Sequence, residues 1–110
     1  MRTEAYDILP TPVRRSLKKL GRDIQIARKR RRLTIGMMME RVGVSKTTYL
    51  AVEKGSPRVG IGIYGTALMV VGLGTPFADI ADPAHDDEGF ALDEARLPQR
   101  VRPRKGESAL

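Results

Sequence analysis

The stretch VGVSKTTYLAVEKG, Val42 to Gly55, decides how the chain is read. It sets a lysine and two threonines shortly after a glycine, and two unrelated devices use that combination. One is a glycine-rich loop that wraps nucleotide phosphates in backbone N–H groups. The other is the turn and second helix of a DNA-reading helix-turn-helix. The phosphate loop needs G-x-x-x-x-G-K-[ST], so a lysine at 46 demands glycines at 45 and 40. Ser45 and Glu40 stand there instead. No strand pattern precedes them, and 110 residues are short for such an enzyme. The nucleotide-enzyme reading fails on those grounds.

The helix-turn-helix reading fits the local grammar. Gly43 stands where the chain must leave a first helix with φ > 0. Ser45 is a capping residue for the next helix, and Lys46, Thr47 and Thr48 fall on its exposed first turn. Tyr49, Leu50 and Val52 supply apolar surface for docking, and Gly55 ends the helix. The preceding segment, LTIGMMMERVG, starts at the capping residue Thr34, and its Met37, Met38 and Met39 are expected in the core. Further upstream, Thr11 is expected to cap a helix with Pro12 in its first turn. Leu17, Leu20, Ile24 and Ala27 follow at three- and four-residue steps, giving one apolar face. Gly21 weakens that helix locally and is expected to divide it. Downstream lies a fourth apolar segment, Ile61 to Leu73, and Pro76 is read as opening a short fifth helix, PFADIA. The fold class is therefore all-α, a small bundle of four to five short helices containing a helix-turn-helix, with flexible termini.

Composition bounds what such a bundle does. The chain carries 20 Lys and Arg against 13 Asp and Glu, a formal charge of +7 and a pI near 10.2. That surplus favours a polyanionic partner. There is no cysteine, which excludes disulfides and thiolate metal sites and suggests an intracellular, cytoplasmic location. The opening MRTEAYDILP lacks the apolar run of a signal peptide. Residues 14–32 hold ten basic side chains and one acid, whereas residues 77–95 hold seven acids and no Lys or Arg. The expected organisation is a flexible arm over 1–10, a helix-turn-helix domain over 11–82 and a disordered, acidic-then-basic tail over 83–110.

The residues also resemble a known family, the Xre/Cro-repressor helix-turn-helix proteins. The similarity covers Leu20 to about Leu73 and is carried by LGRDIQIARKRRRLT, MMMERVGVSKTTY and VEKGSP in that order and spacing. The segment EKGSPRVGIGIYGTALMVVGLG, with ALDEARLPQRVR in the tail, looks like the HipB-like antitoxin subgroup. The resemblance implies a nucleoid-associated homodimer that binds a near-palindromic operator, represses its own operon and holds a HipA-like kinase toxin. It places Lys46, Thr47 and Thr48 at base-contacting positions, and Thr34, Ser45, Lys54 and Arg58 at phosphate-contacting ones. Arg28 and Glu53 match a structural ion pair. Three residues depart from the pattern. Ile35 replaces a frequent glutamine, Met39 a small alanine at the helix crossing, and Ala51 a residue commonly directed at bases. With Ala51 silent, Lys46 and the threonines must carry most of the direct reading.

Other readings are open on the sequence alone. A free-standing Xre-type repressor without a toxin shares all the DNA-facing residues. A protein-interaction module would use the basic surface on an acidic protein. The run RKRRR suits either phosphates or a solvated helix end. Val59 to Ala78 is 20 residues without a charge, long enough to cross a bilayer, but five glycines and Pro76 interrupt it. His85 among acids is too little for a metal site. No cofactor, metal, membrane partner or catalytic constellation is expected.

Overall fold

A computed structural model describes residues 5–96, which contain five α-helices and no strand. The chain divides into two compact units after Phe77, not after Asp82 as the charge pattern suggested. The first contains helices α1 (Thr11–Arg30), α2 (Ile35–Val42), α3 (Lys46–Glu53) and α4 (Ile61–Val70). Helix α3 packs against both α1 and α2, and α2 packs on α4. The core at their centre consists of Ile24 and Ala27 from α1, Met38 from α2, Tyr49 and Val52 from α3, and Tyr64, Ala67 and Leu68 from α4, with Val71 after it. Of the three methionines expected inside, Met38 is fully buried, but Met37 is 41% exposed. On a helix, consecutive residues point about 100° apart, so three neighbours cannot share one buried face.

Caps define the two central helices. The Thr34 hydroxyl accepts the Met37 N–H at 3.0 Å, and the Ser45 hydroxyl accepts the Thr48 N–H at 3.2 Å. Gly43 sits at φ +81°, ψ +37°, and its N–H and that of Val44 both close onto the Met39 carbonyl. This left-handed stop turns the chain directly from α2 into α3.

Two expectations for α1 are corrected. Thr11 is the first helical residue and not a cap; Pro10 precedes the helix and no side chain caps it. Gly21 does not divide α1, which runs unbroken for 20 residues. The glycine instead faces the backbone at the end of α3, so its missing side chain serves close packing between helices.

The chain after α4 also departs from expectation. Pro76 opens only a single 3-10 turn, Pro76–Ala78, and the fifth helix is α5 (Asp87–Arg96), inside the segment read as a disordered tail. The Asp86 carboxylate accepts the Gly89 N–H at 2.9 Å. Asp87 and Glu88 occupy the first turn and Arg96 the last, each charge matching the helix dipole. The basic end of the expected tail, beyond Arg96, lies outside the described residues. Residues 5–10, expected to form a flexible arm, contain a 3-10 turn at Ala5–Asp7.

Candidate nucleic-acid interface

Helix α3 is divided between inside and outside. Tyr49 and Val52 are fully buried, while Lys46 and Thr47 at its front are exposed. The front is fixed by the Ser45 cap, so the two side chains project from a defined turn. Thr48 differs from its neighbours. It is half-buried, and its hydroxyl accepts a hydrogen bond from the Ser45 hydroxyl at 3.2 Å. Its oxygen is thereby drawn into the cap, leaving chiefly its methyl group for any outside contact. Ala51 is half-buried one turn behind Thr47.

The four residues assigned to phosphates fall into two groups. Thr34 and Ser45, both exposed, stand at the N-termini of α2 and α3, where unpaired backbone N–H groups attract anions. Lys54 and Arg58 stand beyond the other end of α3, and both are exposed. The eight residues of α3 put about 12 Å of helix between Ser45 and Lys54. Arg58 lies in the loop between α3 and α4, which Tyr64 anchors by donating its O–H to the Ser56 carbonyl at 2.6 Å. Burial pushes the Tyr64 phenol up to about 12, so it remains a donor under ordinary conditions. The Arg58 guanidinium also meets the Asp7 carboxylate, Nη2 to Oδ1 at 3.2 Å.

Arg28 and Glu53 do form a buried ion pair. Nε of Arg28 donates to Oε2 of Glu53 at 2.6 Å and Nη2 to Oε1 at 3.3 Å, with the two side chains 9% and 5% exposed. A third nitrogen, Nη1, donates to the Leu33 carbonyl at 3.0 Å. One guanidinium thus joins α1, the turn after it and the end of α3. The Tyr49 hydroxyl completes the network by donating to Glu53 Oε2. Tyr49 and Glu53 are four apart on one helix, a spacing that brings side chains together. The sequence therefore held a signal for this third member. Burial opposes ionisation of Glu53, but hydrogen bonds from Arg28 and Tyr49 and the guanidinium charge outweigh it and hold the carboxyl below its ordinary range. The bond to Glu53 raises the Arg28 pKa against the opposing effect of burial, and burial with the Glu53 bond raises that of Tyr49.

The basic run after Arg28 closes α1. Arg31 Nη1 donates back to the Ala27 carbonyl at 3.0 Å, and Arg32 takes a left-handed φ of +56°. Cations there complement the negative end of the helix dipole. They are exposed and serve as a solvated helix end whatever else they touch.

No family model matches the chain, and no curated protein or solved structure matches it either. The resemblance set out above therefore rests on the quoted residues alone. Among the described residues no cluster of His, Cys, Asp or Glu could hold a metal ion. The uncharged segment from Val59 to Ala78 contains the ten-residue α4 and the 3-10 turn at Pro76–Ala78, and no described helix is long and apolar enough to cross a membrane.

Proposed function

We propose that this chain is a cytoplasmic, sequence-specific DNA-binding repressor that acts as a homodimer, catalyses no reaction and presents α3 to the major groove. One observation carries the reading: α3 is capped and exposed at its front, and buried and ion-paired at its back. That is how a helix is held rigid while its first turn is offered to a ligand. The formal charge of +7 supports a polyanionic ligand. Lys46 donates to guanine O6 or N7, and the Thr47 and Thr48 methyl groups meet thymine methyls. Thr34, Ser45, Lys54 and Arg58 hold phosphates on either side. Two copies place their α3 helices in successive major grooves about one helical turn apart.

Within this reading the protein is an antitoxin of the HipB-like kind, holding a HipA-like kinase and repressing the operon that encodes both. Co-expression of the chain with an adjacent kinase gene tests that part. A complex that survives size-exclusion chromatography supports it; a kinase that elutes alone leaves a free-standing repressor.

The DNA part is tested by two variants with opposite signatures. Arg58→Ala should weaken binding to all sequences alike and reduce the slope of log K against log salt by about 0.9, one phosphate's worth. Lys46→Ala should lose preference for the operator, by about 1–3 kcal/mol. An operator preference unchanged in Lys46→Ala would show that α3 is not the reading helix. DNA binding with a steep salt dependence would argue against the alternative, an interaction module whose basic surface meets an acidic protein.

A further inference from the structure

Asp7 and Arg58 are 51 residues apart, and nothing in the helical framework requires them to meet. The 3-10 turn at Ala5–Asp7 brings the carboxylate to the guanidinium. That turn is itself held in place. Arg14 Nη2 on α1 donates to the Asp7 carbonyl at 3.4 Å. On either side of Asp7, Ala5 and Leu9 line a groove of about 410 Å³ whose walls are Val13, Leu17, Ile61 and Phe77. An apolar footing therefore holds a carboxylate against an arginine assigned to DNA phosphate.

A carboxylate and a phosphodiester present the same feature to a guanidinium, a pair of anionic oxygens that accept its forked donors. They compete for the same donors. A tethered competitor acts at high effective concentration without needing high intrinsic affinity. We propose that Asp7 is an intramolecular competitor for DNA phosphate at Arg58, an autoinhibitory contact that DNA must displace before this arginine can grip the backbone. The inference rests on the DNA-binding reading above and adds to it a device that sets affinity. Because phosphate contacts carry no sequence information, the device lowers affinity for DNA of every sequence.

Asp7 and Arg58 have half-exposed side chains, 51% and 58%, so neither substitution threatens the core. The experiment uses the full chain and random-sequence duplex DNA, in a cycle of wild type, Asp7→Asn, Arg58→Ala and the double variant. Exposed pairs are weak, so Asp7→Asn should tighten binding by about two- to fivefold at low salt. The gain should shrink as salt rises and disappear in the Arg58→Ala background. Unchanged or weaker binding by Asp7→Asn overturns the proposal, the weaker result making Asp7 a support that positions Arg58. An equal gain with Arg58 absent also overturns it, since the effect would then be one of net charge. If neither wild type nor Asp7→Asn binds DNA, the DNA-binding reading fails along with the proposal. Binding by wild type without the Arg58-dependent gain removes the proposal alone.

Discussion

Gly55→Ala should lower the melting temperature by about 15 °C or more, because the methyl group has nowhere to go. Helices α1 and α3 approach through a pair of glycines. A Cβ on Gly55 would fall on the carbonyl group of Leu17 and within 2.6 Å of Lys18 Cα, and these are backbone atoms that cannot swing aside. Gly55 also holds φ +70°, a region that costs an L-residue roughly 1–2 kcal/mol. Overpacking adds about 1–3 kcal/mol. A total near 3 kcal/mol corresponds to about 15 °C in a unit of this size. Gly21→Ala should act in the same direction for the reciprocal reason. Its Cβ would lie 2.5 Å from Gly55 N and 2.6 Å from the Val52 and Glu53 carbonyl oxygens. Here the better helix propensity of alanine, about 1 kcal/mol, offsets part of the loss. Gly62→Ala in α4 is the control. It has nothing within 4 Å of the added atom, so it should raise the melting temperature by a few degrees. Calorimetry on the three variants decides the matter, and a similar effect at all three positions would sink the close-approach explanation.

The same glycine pair shows where sequence reading stops. Caps and stops are local or patterned signals. Thr34, Ser45 and Gly43 were legible for that reason, as was the division of α3 into a front at Lys46 and a back at Tyr49 and Val52; the Arg28–Glu53 pair, 25 residues apart, was implied only by the family resemblance. Helix propensity registers Gly21 only as a local weakness, whereas its position opposite Gly55 is a tertiary fact with no local trace. Helix α5 was obscured differently. Seven acids over residues 77–95 look like a solvated tail when counted together. Three of them, Asp86, Asp87 and Glu88, stand together at the N-terminus of α5, where acids stabilise a helix, and that placement matters more than the total number. Thr48 falls on the first turn by sequence, but whether its hydroxyl joins the cap or faces outward depends on a rotamer that sequence does not carry. Asp7 was invisible as a partner of Arg58, as the two are linked only through the folded chain.

Glu53→Ala should be as damaging as the glycine variants but for an electrostatic reason, and with a distinctive dependence on pH. The substitution leaves the Arg28 guanidinium buried with the Leu33 carbonyl as an acceptor and strands the Tyr49 hydroxyl. An orphaned buried charge costs about 3–5 kcal/mol. Removing both charges together should cost far less. The pair Arg28→Met with Glu53→Leu keeps apolar volume and leaves no ion to solvate, so stability should return close to wild type. The folded-state pKa of Glu53 is lowered, so its contribution is fully present above the ordinary carboxyl value and is lost as pH falls through the folded value. Wild type should therefore lose stability in acid more steeply than the double variant, which should become the more stable of the two as Glu53 takes up its proton. Chemical denaturation between pH 3 and 7 reads both effects. A double variant as unstable as Glu53→Ala would mean that these side chains stabilise by packing, not by charge. Because neither group faces outward, the refolded double variant should also keep the DNA affinity of wild type. A selective loss of operator preference in that variant would instead make Glu53 and Arg28 setters of the angle at which α3 is presented.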